Sequence, residues 1–152
     1  FGQSKRMRYD LTVNQFILEM IKDKVIKVYD VDTWRPYCHV KDFSRAIEKI
    51  IYAPSELTSS QVFNVGDDIN NYTKGKMAKI VQKYLKGKIE YLSISKDRRD
   101  YRVSFAKIKK VLKFKCKYSL EFGIKEMIKN VKGLNKKKLN MLAKLGNYTV
   151  KF

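Results

Sequence analysis

Val13, Phe16, Ile17, Met20 and Ile21 stand at i, i+3, i+4, i+7 and i+8, a spacing that lays one apolar stripe along an α-helix. Phe43, Ala46, Ile47, Ile50 and Ile51 repeat it, as do Met77, Ile80, Val81, Tyr84 and Leu85. Asp42 and Thr73 stand where the second and third of these helices need a capping oxygen. A fourth helix is predicted from Ser119 through Ile124, Ile128 and Val131, and a short one around Ile108 and Leu112. Between them lie β-branched and aromatic runs, Val25–Tyr29, Pro36–Val40, Gln61–Val65 and Lys88–Ile94. Strands alternating with helices predict an α/β architecture. Pro36 has no N–H for a ladder, so its strand is expected to start there or to lie at an edge. Four helices and four short strands make an awkward count for a free-standing domain, and no glycine-rich phosphate loop follows a strand. The chain reads as the second part of something larger, an expectation that the opening Phe1-Gly2, like a strand end entering a loop, supports. From Gly133 onward, "GLNKKKLNMLAKLGNYTVKF" keeps no clear period and is expected to be a loosely held, Lys-rich extension.

At 152 residues, 44% hydrophobic and 32% charged, the chain has the composition of a folded domain, not a disordered segment. No apolar run approaches the roughly 18–20 residues of a membrane span, and no signal peptide is expected. Cys38 and Cys116 lie 78 residues apart without a Cys-x-x-Cys or Cys/His cluster. Neither a disulfide framework nor a metal site is expected, and a reducing cytoplasm is the plainest setting. The net charge of +19 raises a nucleic-acid reading. Lysines are spread over the whole sequence, however, which reads as a solvated surface of the kind that attracts any polyanion.

Seven arginines stand against 27 lysines: Arg6, Arg8, Arg35, Arg45, Arg98, Arg99 and Arg102. Where positive charge is otherwise written as Lys, a retained Arg points to a need for its planar, bidentate fork. Two fall in "KRMRYD", three in "DRRDYR", and Arg35 stands alone between Trp34 and Pro36. Together they suit a diphosphate or another small polyanion; individually, some would pair with Asp10 or Asp100. His39, the single histidine, lies in an apolar run and reads as structural. Tyr-x-x-x-Lys occurs at Tyr37/Lys41, Tyr72/Lys76 and Tyr84/Lys88. In none of these do both residues fall on one helix face, as a working pair requires, so no catalytic residue is assigned.

Four motifs in this order, "FG…RMRYDLTVNQFI", "WRPYCHVKDFSRAI", "QVFNVGDDINNYT" and "DRRDYRVSFAKIKKVLKF", resemble the C-terminal part of extended short-chain dehydrogenases/reductases. These are NAD-dependent nucleotide-sugar epimerases and dehydratases. The resemblance runs from Phe1 to about Val131. It implies a substrate-binding portion of an extended Rossmann-type fold over residues 1–132, with 133–152 as the extension. The family's N-terminal half, which carries the NAD(P) loop and the catalytic Tyr-x-x-x-Lys, would be absent, and no cofactor is expected on this chain alone. By resemblance, Arg35 contacts the nucleotide diphosphate, Arg99 with Arg98 beside it faces the same phosphates, and Asn64 lines the substrate pocket. Arg6, Arg8 and Asn14 match the loop and helix start that close over the sugar nucleotide. The implied partners are a nucleotide sugar and an N-terminal Rossmann half, with no membrane. Asp30-Val31-Asp32 departs from the family, whose relatives carry a glycine turn there. Two other readings stand beside this one: a basic, non-enzymatic nucleic-acid-binding module, and a truncated product whose Gln61–Val65 strand lacks its sheet.

Overall fold

The computed structural model describes residues 1–92 and 99–145. Helix α1 (Thr12–Lys22) leads through Lys24, in the left-handed conformation at φ 59°, into strand β1 (Val25–Tyr29). Strand β2 (Trp34–Pro36), helix α2 (Val40–Ile51) and a single turn, α3 (Ser55–Thr58), follow. Strand β3 (Asn71–Thr73), helix α4 (Lys74–Tyr84) and strand β4 (Lys88–Leu92) come next. Helices α5 (Ala106–Leu112), α6 (Leu120–Lys132) and α7 (Lys136–Leu145) complete the described chain. β1 and β4 pair in parallel, Val25 opposite Lys88 through Tyr29 opposite Leu92. β2 and β3 pair antiparallel, with Arg35 opposite Tyr72.

The stripes predicted for α1, α4 and α6 build the main core: Ile17, Met20, Met77, Val81, Ile124 and Val131 pack with Ile26 and Val28 of β1. Thr73 caps α4 by accepting from the Lys76 N–H, and Ser119 caps α6 by accepting from the Phe122 N–H. A second cluster joins Ala46 of α2 to Phe105, Ile108, Leu112 and Phe114. The turn at Asp30-Val31-Asp32 closes without glycine. Asp30 itself takes φ 49°, which aspartate tolerates better than most residues, and its carbonyl accepts from the Thr33 N–H and hydroxyl.

Several expectations are corrected. The strand read at Pro36–Val40 lies at Trp34–Pro36, so the proline ends it; Tyr37 to His39 turn the chain into α2. Residues 61–65 join neither sheet, and Val62 is 81% exposed. Asp42 does not cap α2. His39 does, its Nδ1 accepting from the Lys41 N–H, while the fully buried Asp42 carboxylate reaches across the fold. That carboxylate accepts from the backbone N–H of Lys117 at 2.9 Å and of Tyr118 at 3.0 Å, and from Arg45 at 2.6 Å. The Lys-rich extension is helical over α7, with Leu139 buried against the main core. Lastly, the α2 stripe is turned outward. Phe43, Ile47 and Ile51 are 46%, 56% and 69% exposed, whereas Ala46 beside them is buried.

His39 is structural, as read from the sequence. Its Nε2 meets Glu126 Oε2 at 3.1 Å, and the same carboxylate takes the Gln3 N–H and the Lys41 ammonium, tying the N-terminal loop to α6. Gly2, at φ 101°, lies so close to the imidazole that a Cβ there would overlap it. Burial pushes the His39 imidazole below its ordinary 6.5, against the pull of Glu126. Burial pushes the Glu126 carboxyl up, but the hydrogen bonds from Lys41 and Gln3 and the His39 charge outweigh it and hold it below 4.5. Both groups therefore bind protons less readily folded than unfolded, so the stability they contribute is present in full above about pH 6.5. It declines as pH falls through the histidine range and again through the carboxylate range. A urea midpoint followed against pH should show this two-stage decline; a midpoint that rises on acidification from neutrality would contradict it.

Candidate functional site

Strand β2 holds Arg35 at its centre, between two clefts whose walls share Leu11, Thr12 and Arg35. The first, of about 510 Å³, is cationic: Arg8, Lys27, Arg35, Lys74 and Arg99 line it with Tyr29 and Gln15, and among the described residues Asp10 is its single carboxylate. The second, of about 490 Å³, is mostly apolar, with Phe1, Tyr37, Phe43, Phe63 and Tyr101 around Asn64. The Arg35 guanidinium donates to the Trp34 carbonyl at 2.8 Å and lies 5.3 Å from the centre of the Tyr101 ring, so its plane is held by the wall that carries it.

Arg99 reaches this cleft because the segment after it is clamped to the β2–β3 pair. Asp100 accepts from the Trp34 N–H at 2.7 Å, and Arg102 stacks 3.5 Å above the Trp34 ring. Asn71 holds Val103 reciprocally, its amide donating to the Val103 carbonyl at 3.0 Å and its oxygen accepting the Val103 N–H at 2.9 Å. Asp68 accepts from the Phe105 N–H at 3.2 Å. Trp34 is thus the platform on which the late arginine segment lies, which gives the residues beside Arg35 their role.

The predicted residues separate into groups. Arg35, Arg99 and Arg8 line one cleft. The Arg8 guanidinium is forked on Asp10, and that hydrogen-bonded pair raises the arginine and holds the Asp10 carboxyl below its ordinary range. Asn64 lies in the other cleft, its amide donating to the Ser104 carbonyl at 3.3 Å. Asn14 lines neither cleft. It is 1% exposed, and its side chain is engaged with the loop backbone, accepting the Gly2 N–H and donating to the Arg8 carbonyl. It ties the loop at Gly2 and Arg8 to the start of α1. Arg6 is exposed and lines neither cleft. Arg98 lies outside the described residues. Lys27, Tyr29, Gln15 and Lys74 join the site without having been singled out. The signal for two of them was present: in "VIKVY", Ile26 and Val28 are buried, so Lys27 and Tyr29 must point the other way. Tyr37, the tyrosine of one Tyr-x-x-x-Lys match, has its phenol pushed up to about 12 by burial, and stays protonated at neutral pH.

A dinucleotide cradle, in which a strand runs through a glycine turn into a helix whose N-terminus holds phosphate, is not built by the described residues. β1 runs into β2, and the N-termini of α2, α4 and α6 are taken by His39, Thr73 and Ser119.

An α/β unit with an arginine-lined cleft walled by one face of β1 and by β2 is the class that fold and site define. Residues 1–66, which hold the first two of the four motifs and the start of the third, match the model of the NAD dependent epimerase/dehydratase family, and the resemblance is borne out over that stretch. The NAD dependent NDP-hexosamine 5,6-dehydratase TunA, involved in tunicamycin biosynthesis, superposes with a TM-score of 0.71 at 14% identity, over 90% of this chain and 44% of its own. RMD from Pseudomonas aeruginosa, solved with NADPH, superposes with a TM-score of 0.69 at 14% identity, over 86% and 45%. The ADP-L-glycero-D-manno-heptose-6-epimerase of Helicobacter pylori superposes with a TM-score of 0.66 at 21% identity, over 80% and 37%. The chain thus spans less than half the length of these structures. Among its described residues, no helix is long and apolar enough to cross a membrane.

Proposed function

We propose that this chain is the nucleotide-sugar-binding portion of an NAD-dependent epimerase or dehydratase, acting in sugar-nucleotide metabolism in the cytoplasm. The observation that carries the proposal is the position of Arg35 in the wall between a cationic and an apolar cleft, with Arg99 and Lys74 on the cationic side. A diphosphate seated on Arg35 and Arg99 meets planar forks that take paired oxygens. Tyr29, 44% exposed in the same cleft, offers a face for the nucleobase, and Gln15 a polar edge. On the far side of Arg35, Asn64 and the aromatic wall receive the sugar. Two of the matched relatives are described as acting on NDP-hexosamine and on an ADP-sugar, which supports this class of ligand.

The NAD(P) chemistry then belongs to a Rossmann half, upstream or separately encoded, that completes the enzyme. Support comes from the outward stripe of Phe43, Ile47 and Ile51, continued by the exposed Val62 of a segment that joins neither sheet. An apolar helix face beside an unpaired extended segment fits the edge and face of a β-sheet. The match covers only 45% and 44% of those structures' own lengths, which leaves room for such a half.

Thermal unfolding at physiological salt, with UDP-, GDP- and dTDP-sugars and with short duplex DNA, tests the class of ligand. A sugar nucleotide at a hundred times its Kd should add about 2.7 kcal/mol and raise Tm. Stabilisation by DNA alone, lost with added salt, would favour the basic binding module instead.

A further inference from the structure

Gln15 and Glu19 stand one turn apart on α1, and Lys27 and Tyr29 lie on the exposed face of β1. Gln15, Lys27 and Tyr29 line the cationic cleft; Glu19 does not. The Glu19 carboxylate accepts on both oxygens, on Oε1 from the Gln15 side-chain amide at 2.7 Å and on Oε2 from the Lys27 backbone N–H at 3.2 Å. One carboxylate therefore fixes the helix that carries Gln15 against the strand that carries Tyr29. An ionised carboxylate offers acceptors alone, so it also decides which way round the Gln15 amide sits. The NH₂ end is committed to Glu19, and the oxygen is left. Among the described residues nothing donates to that oxygen, and it is not closed off from solvent. Burial pushes the Glu19 carboxyl above its ordinary 4.5, and the two bonds it accepts pull the other way.

We propose that Gln15, oriented by Glu19, reads the base of the bound nucleotide through its side-chain oxygen and so selects bases with a ring N–H: uracil, thymine or guanine. This rests on the nucleotide-sugar reading above and adds which bases the cleft accepts. With a base on the Tyr29 face, Gln15 supplies an acceptor at its edge and the Lys27 ammonium a donor. In uracil, thymine and guanine a ring N–H lies beside a carbonyl, the complement of that pair. In cytosine and adenine the corresponding ring nitrogen carries a lone pair. It meets the Gln15 oxygen acceptor to acceptor and leaves both without a partner. Glu19 touches no ligand and is a positioning residue. Without it, the Gln15 amide could turn over and serve cytosine and adenine through its NH₂ end.

The test is calorimetric titration of the full chain at pH 8 and physiological salt. UDP-glucose is compared with CDP-glucose, and GDP-glucose with ADP-glucose, pairs that share sugar and diphosphate. In the parent chain the first of each pair should bind about tenfold tighter, the scale for leaving one polar group unpaired. Gln15→Ala should level each pair. Glu19→Gln is the sharper variant, because it is isosteric and changes only the hydrogen-bond pattern. Its oxygen keeps the Lys27 N–H and its new NH₂ faces Gln15, whose amide turns over to accept from it and presents NH₂ to the cleft. The preference should then reverse towards CDP- and ADP-glucose. Equal affinity within each pair in the parent chain, or a preference that survives Gln15→Ala, would overturn the proposal while leaving nucleotide-sugar binding intact. So would a Glu19→Gln chain that keeps the parent preference or weakens all four ligands alike. Binding of none of the four by the parent chain would overturn both readings.

Discussion

Replacing Asp42 with alanine should remove about 3–5 kcal/mol of unfolding free energy, the range for breaking a buried charge pair on one side. The carboxylate is fully buried and accepts two backbone N–H groups, from Lys117 and Tyr118, besides the Arg45 guanidinium. Alanine strands both donors at the turn that launches α6, each at about 1–3 kcal/mol, and leaves the half-exposed Arg45 without its partner. Asp42→Asn keeps an acceptor oxygen and should cost clearly less. Chemical denaturation of the three chains measures both differences. A loss under about 1 kcal/mol for Asp42→Ala would mean that the 115–118 segment is held by other contacts.

Arg35→Ala should weaken nucleotide-sugar binding by about 10–150-fold, the equivalent of about 1.5–3 kcal/mol for hydrogen bonds to a charged group. Arg35→Lys should recover only part of it, because an ammonium cannot span two phosphate oxygens in one plane. The guanidinium is directed by the Trp34 carbonyl and the Tyr101 ring, not by the main core, so the substitution should leave folding nearly intact. That separation makes the result interpretable. Equal affinity in the parent chain and Arg35→Ala, measured by calorimetry on folded protein, would remove Arg35 from the site.

What was legible in the sequence was whatever a single periodicity decides. α1, α4 and α6 bury the stripes their spacing announces, Thr73 caps α4 as the pattern put it, and α6 starts beside the predicted Ser119. β1 matches its apolar run end to end. The α2 stripe was equally clear as a helix, but periodicity gives the existence of an apolar face and not what it packs against. Asp42 stood where a cap belongs, yet α2 already begins at Val40, so His39 stands at its N-cap and takes the Lys41 N–H, which leaves the carboxylate for a distant turn. β3 is three residues long and is held by pairing with β2, a long-range partner that no local window contains. α7 escaped because lysines and asparagines obscure a stripe that reduces, among its described side chains, to Leu139, Leu142 and Ala143.

The site was legible in part for a similar reason. Arg35, Arg99 and Arg8 were singled out as arginines in a lysine-rich chain and by resemblance, and they do share a cleft. Asn14 carried the same resemblance but serves the loop backbone, a distinction that rests on where its amide points. Lys74 entered the cleft through the β2–β3 pairing, which places the start of α4 beside Arg35.

The central claim is that the diphosphate of a nucleotide sugar is the group this chain grips. Its most direct test is an equilibrium titration of the parent chain, at physiological salt, with a nucleoside diphosphate sugar and with the same nucleoside lacking phosphate. Saturable binding of the first, with the second far weaker, is the predicted result. Equal binding of both, or none of either, would contradict it.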